Sequence, residues 1–91
     1  MISLAKSLAL DYAPHDIRVN AICPGFVWSR PCERLTEGLK RTVPAFADLD
    51  ARAIFLKVVK RSVPPRREQI VEDIGRLAAF LASGAARNIT G

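Results

Sequence analysis

The chain has 91 residues, fewer than a typical domain, which excludes two domains or a large multilayered enzyme. Hydrophobic residues make up 49% of it, charged residues 25%, and the net charge is +5, a composition that argues against a disordered segment. A chain this short buries only about two thirds of its unfolded surface. So much apolar surface therefore predicts a globular segment that needs additional partner surface.

The first quarter of the sequence predicts a helix followed by a strand. Residues 2–13 place apolar side chains at helical spacing, and Pro14 ends that pattern. Residues 17–23 predict a short strand with apolar residues on both faces, as in a parallel strand covered by helices on both sides. Pro24 and Gly25 end the strand.

Residues 26–67 are interrupted by prolines and predict two short helices. These are residues 32–41 and residues 49–60, the second capped by Asp48. Ten basic and four acidic residues lie in residues 30–67. We interpret the excess as a solvated face, and a basic surface for nucleic acid is the alternative. The basic residues are not interleaved with aromatic residues as in a known nucleic-acid module, so we expect no nucleic-acid partner.

Residues 69–82 carry the clearest helical stripe, and Ser83 and Gly84 end it. One strand cannot form a sheet, because its backbone donors and acceptors lack partners. Parallel strands need neighbouring strands, and none is predicted here. The sequence thus predicts part of a larger α/β sheet, incomplete as a domain, with three segments: residues 1–25, 26–67 and 68–91.

The cysteines and apolar runs predict neither a metal site nor a membrane span. Cys23, Cys32 and His15 are the only soft ligands, whereas a zinc site needs about four. Lys6 interrupts the amino-terminal apolar run, and the run at residues 77–82 is too short to cross a bilayer. We expect a cytoplasmic protein.

Two stretches resemble the short-chain dehydrogenase/reductase family. Residues 3–29 read SLAKSLALDYAPHDIRVNAICPGFVWS, similar to the family pattern S-L-A-x-E-x-A-x-x-x-I-R-V-N-x-I-x-P-G-x-V-x-T. Residues 72–83 and 89–91 resemble the family's closing helix and the lead into its last strand. The resemblance implies the C-terminal part of a Rossmann-type doubly wound parallel sheet, in the order helix, strand, helical lid and helix. It implies an NAD(P)-dependent oxidoreductase that interconverts an alcohol and a carbonyl, homo-oligomeric as a full-length protein.

The family's catalytic residues are not among these 91. By this alignment its Gly-rich turn, its Asn and Ser positions and its Tyr-x-x-x-Lys pair lie before Met1. Tyr12 is followed four residues later by Asp16, so it is not that pair. We assign no catalytic residue. A non-catalytic truncated interaction segment is a further alternative.

The resemblance implies a cofactor wall and a substrate lid. Pro24 and Gly25 would lie against the nicotinamide side of NAD or NADP, where a residue without a Cβ permits close approach. The backbone of Val27 would bond the carboxamide, and the Ser29 hydroxyl would bond a nearby cofactor oxygen. Residues 26–67 would cover the substrate, with three side chains available to face it: Trp28, Leu35 and Leu39.

The 91-residue chain alone is expected to show no dehydrogenase turnover with NAD or NADP. It contains neither the proton donor nor the dinucleotide-binding turn of the family, and each contributes orders of magnitude. The absorbance of reduced nicotinamide measures the turnover. Activity that persists after rigorous removal of host enzymes would contradict this assignment of the site.

Overall fold

The structure is a computed structural model that describes all 91 residues. It contains four α-helices, α1 (Ile2–Tyr12), α2 (Arg30–Thr42), α3 (Ala51–Ser62) and α4 (Val71–Ala82). Three short 3-10 helices cover Ala13–His15, Pro44–Phe46 and Gly84–Ala86. The chain divides into two compact units, here called the terminal unit (Met1–Cys23 with Glu72–Gly91) and the central unit (Pro24–Val71).

In the terminal unit, the 3-10 helix that follows α1 ends at a left-handed residue. Helix α1 stops at Tyr12, one residue before the predicted end, and Pro14 lies inside the 3-10 turn that follows. Asp16 then has φ +57°, a conformation that Asp adopts more readily than most non-glycine residues. Its backbone N–H donates to the Ala13 carbonyl at 3.1 Å, which closes the turn.

The predicted strand at residues 17–23 is not formed, and with it the predicted sheet is absent from these residues. Residues 17–25 have no regular secondary structure. The physical reason is the lack of a neighbouring strand. The chain end pairs with part of this segment: the Gly91 N–H donates to the Val19 carbonyl at 2.8 Å, and the Asn20 amide donates to the Ile89 carbonyl at 2.9 Å.

One arginine joins this extended segment to the end of α4. Arg18 Nη1 donates to the carbonyls of Leu81 at 2.6 Å and Ala86 at 3.0 Å, and Nη2 donates to that of Ser83 at 3.3 Å. The last carbonyls of a helix have no intrahelical partner and favour a positive charge. Arg18 therefore caps α4 and holds residues 17–20 against it.

The terminal unit buries little apolar surface. Helix α4 begins at Val71, two residues after the predicted start, and its apolar residues Leu77 and Phe80 are 43% and 44% exposed. The buried side chains of this unit are small: Ala5, Ala9 and Ala86. Its large exposed apolar residues include Ile2, Leu4, Leu10, Ile17 and Ile89. The apolar stripes predicted from the sequence thus lack a cover.

The central unit has a true core, supplied by α3 packed on α2. Ile54, Phe55 and Val59 are at most 2% exposed. Thr36 of α2 is also buried, and its hydroxyl donates to the Glu33 carbonyl at 2.8 Å, so this polar side chain is satisfied.

The bounds of both helices in this unit differ from the prediction. Helix α2 is longer at both ends than the predicted 32–41. Asp48 does not cap α3, because the 3-10 helix Pro44–Phe46 and the turn after it occupy that stretch. The cap is Asp50 instead, whose carboxylate accepts from the Ala53 N–H at 2.7 Å.

Thermal unfolding of the 91-residue chain is expected to be broad or absent. The reason is the terminal unit, whose apolar side chains face solvent and whose buried residues are alanines. Circular dichroism during heating measures the transition, and an environment-sensitive apolar dye should bind the unheated chain. A sharp, reversible transition of the monomeric chain would contradict this expectation.

Candidate functional site

The proposed cofactor residues lie on a loop that opens the central unit, and Gln69 holds this loop. The Gly25 N–H donates to Gln69 Oε1 at 3.3 Å. Val27 forms an isolated parallel bridge with the backbone of Gln69. A side-chain contact and a backbone contact from one residue therefore position the loop, although no sheet surrounds it.

Gly25 is not required by the protein's own packing. A Cβ built on Gly25 would lie 3.4 Å from Gln69 Oε1, at the limit of ordinary contact, and its φ is not in the left-handed region. Pro24 and Gly25 are both exposed. An alanine at position 25 would fit the protein, so a steric need for glycine there arises only if a ligand approaches closely.

Ser29 occupies the N-cap position of α2 without capping it. Its carbonyl accepts from the Glu33 N–H at 2.8 Å, which starts the helix. Its side chain makes no cap hydrogen bond, although serine is among the best N-cap residues. The residue is exposed, so its hydroxyl is available to a ligand.

Trp28 belongs to an aromatic and charged cluster. Its ring contacts the Phe55 ring edge-on, with centroids 5.1 Å apart and an interplanar angle of 66°. The Arg52 guanidinium carbon lies 5.2 Å from the Trp28 ring and 5.3 Å from the Phe55 ring, within cation–π distance of both. Arg52 Nη2 also pairs with Glu68 Oε1 at 2.6 Å. This cluster joins Trp28 to the core of the central unit.

Leu35 and Leu39 meet in a small apolar pocket between α2 and α3. Its volume is about 20 Å³, and its lining consists of Phe26, Cys32, Leu35, Thr36, Leu39, Phe55 and Val58. A space of this size holds about one methyl group or one water molecule, and no substrate. Leu35 is 58% exposed, so part of its side chain also faces solvent. Because Phe55 contacts Trp28 and lines the pocket, the three predicted lid residues surround one buried ring.

The structure contains neither a disulfide nor a cluster of metal-binding side chains. Cys23 is exposed and Cys32 half-buried, and both thiols are free. No group of three or more His, Cys, Asp or Glu side chains lies close enough together to hold a metal ion. None of the helices has the length and apolar character that crossing a membrane requires.

Sequence reasoning missed Gln69, Arg52 and Glu68. Gln69 and Gly25 are 44 residues apart, and no periodicity links them. The position of Arg52 in the sequence was a signal. It is the one basic residue in the first turn of α3, whereas the other basic residues of this helix lie further toward its C-terminal end. Basic residues are unfavourable near a helix N-terminus, so a tertiary partner was to be expected there.

Comparison with known proteins now identifies the family. The family model described as enoyl-(acyl carrier protein) reductase matches residues 1–91. The chain is 37% identical over 91 residues to the oxidoreductase UcpA of Escherichia coli K12, and 35% identical over 91 residues to the uncharacterized oxidoreductase YxjF of Bacillus subtilis. Protein FixR of Bradyrhizobium diazoefficiens is 36% identical over the same length. The chain belongs to the short-chain dehydrogenase/reductase family, whose fold is of the Rossmann type.

The chain covers only part of these relatives. All of it aligns, but the alignment spans 32% of UcpA, 34% of YxjF and 26% of FixR. No solved structure matches the chain. The relatives therefore support oxidoreductase function at the level of the family.

Replacing Gln69 by Leu is expected to loosen the loop at Gly25. The variant removes the acceptor of the Gly25 N–H, and a net hydrogen-bond contribution of about 1 kcal/mol corresponds to roughly fivefold faster exchange of that amide. Hydrogen exchange followed by NMR measures the rate. Gln69→Glu keeps an oxygen at the same place and should preserve protection. Equal exchange of the Gly25 amide in all three proteins would show that Gln69 does not hold the loop.

Proposed function

We propose that this chain supplies the nicotinamide-side cofactor wall and the substrate lid of an NAD(P)-dependent oxidoreductase that interconverts an alcohol and a carbonyl. Family membership and the oxidoreductase relatives support the general activity. The observation that carries the finer proposal is the exposed Ser29 hydroxyl, which is left without a cap bond next to a loop held by Gln69.

The residues present fit a dinucleotide cofactor. The loop exposes Pro24 and Gly25, and the packing of the protein itself does not require a glycine at position 25. The loop also exposes the Ser29 hydroxyl, which can donate or accept a hydrogen bond. A nicotinamide carboxamide needs both a donor and an acceptor, which backbone and hydroxyl groups provide. The cofactor, when bound, gives or takes the hydride.

The residues of this chain would bind and orient the cofactor. Gly25 would let the ring lie close to the backbone, the Val27 backbone would bond the carboxamide, and Ser29 would donate to a cofactor oxygen. Gln69 would keep this loop in place before the ligand arrives, which reduces the ordering cost of binding. The proton donor of the reaction would come from outside these 91 residues.

The lid side chains would cover the substrate. Trp28, Leu35 and Leu39 present apolar surface around Phe55, and such a cover excludes water from a reacting carbonyl. We further propose that the complete protein is a homo-oligomer, as the family resemblance implies, and that it is cytoplasmic.

Two classes of substitution should separate the lid from the cofactor wall. The suitable protein is a chimera in which residues 1–91 replace the matching part of UcpA. There, Trp28→Ala and Leu39→Ala should raise the KM for substrate about tenfold, because apolar contact with substrate is lost. Ser29→Ala should instead weaken cofactor binding about three- to tenfold, since one hydrogen bond is removed. Steady-state kinetics and cofactor titration measure these effects.

Lys6→Ala is the matched control, because this side chain is exposed and lies in the terminal unit. It should change neither the KM for substrate nor the affinity for the cofactor. If the lid and Ser29 substitutions altered only thermal stability, residues 26–67 would be ordinary packing and the proposal would be wrong.

A further inference from the structure

We propose that Arg52 is a positioning residue that sets the orientation of the Trp28 side chain and thereby the shape of the substrate lid. The inference rests on the lid role proposed above. It assigns to α3 a residue that acts on substrate selection through the Trp28 side chain, which belongs to the loop of residues 24–29, here called the cofactor loop.

The guanidinium of Arg52 is held by aromatic rings on one side. Its carbon lies 5.2 Å from the Trp28 ring and 5.3 Å from the Phe55 ring. Nη1 is buried and has no hydrogen-bond partner. A buried donor without an acceptor is costly, and electron-rich ring faces compensate part of that cost. Arg52 is therefore held where it is by the two rings, and it holds them in turn.

Glu68 fixes the other side of the guanidinium. Nη2 donates to Glu68 Oε1 at 2.6 Å, while the two side chains are 42% and 25% exposed. A planar guanidinium can stack on a ring and bond a carboxylate at the same time, because these interactions use different directions. A lysine ammonium is a point charge without a plane, so it cannot reproduce both.

These contacts close a ring of residues in the central unit. Trp28 follows Val27 along the chain, and Glu68 precedes Gln69. The Val27–Gln69 bridge joins the two segments through the backbone, and Arg52 joins them again through side chains. The backbone at Trp28 is thus positioned by its neighbour's bridge, whereas the direction of its indole depends on Arg52. Loss of Arg52 should free the indole and leave the cofactor loop in place.

The first experiment uses fluorescence, because Trp28 is the single tryptophan of the chain. In Arg52→Met the Trp28 emission should shift to longer wavelength and acrylamide quenching should increase, since the indole is released to water. In Arg52→Lys both changes should be smaller than in Arg52→Met, because the positive charge is kept. Glu68→Gln should resemble Arg52→Lys. Lys57→Met is the matched control: it removes an exposed base from the same helix and should leave Trp28 unchanged.

The second experiment uses the UcpA chimera. Arg52→Met should raise the KM for substrate about two- to fivefold, the effect of one cation–π contact, with kcat and cofactor affinity unchanged. An altered emission with an unaltered KM would overturn the role in substrate selection. The positioning role would be overturned if acrylamide quenched Trp28 equally in wild type, Arg52→Met and Lys57→Met. It would also be overturned if the Trp28 emission of the wild type equalled its emission in urea. A chimera that binds no cofactor would contradict the proposed function, whereas the fluorescence would still decide whether Arg52 positions Trp28.

Discussion

The backbone of residues 17–25 has no strand beside it, and several long-range hydrogen bonds of this protein are made to this segment. An extended segment carries donors and acceptors that must be satisfied by protein or water. Side chains take the place of a neighbouring strand here. The Thr90 hydroxyl accepts from the Val19 N–H at 3.1 Å, and the Gln69 amide oxygen accepts from the Gly25 N–H at 3.3 Å. Each of the two units has its own such contact.

The two units differ in what stabilises them. In the terminal unit a charged side chain, Arg18, bonds one carbonyl in the last turn of α4 and two in the segment that follows it, while apolar burial is confined to alanines. In the central unit Phe55 is fully buried and organises Trp28, Arg52 and the small pocket of α2 and α3. Apolar burial is the larger contribution to folding free energy, so the central unit is the better supported of the two.

Local sequence patterns predicted the helices, because apolar periodicity and caps are properties of neighbouring residues. All four helices were found within two residues of their observed ends, and the cap of α3 moved only from Asp48 to Asp50. The prediction of a strand at residues 17–23 was wrong for a physical reason, because a strand needs a neighbouring strand and these 91 residues do not contain one. Leu35 and Leu39 could be grouped from helical spacing, whereas the contact of Gln69 with Gly25 depends on tertiary structure across 44 residues. The cofactor residues came from family resemblance, which carries tertiary information that periodicity lacks.

Ser29 shows where local preference and observed structure disagree. A serine that caps its helix contributes about 1 kcal/mol, and here that contribution is absent although the residue stands at the N-cap position. Departures from a local rule are expected at functional positions, where a group is kept available at some cost in stability. Asp50 provides the contrast within the same unit, because its carboxylate does cap α3. The proposed cofactor wall is thus built from backbone and one unused hydroxyl, whereas the lid is built from large side chains around Phe55. Substitution of lid side chains can change the cover over a substrate and leave the wall intact.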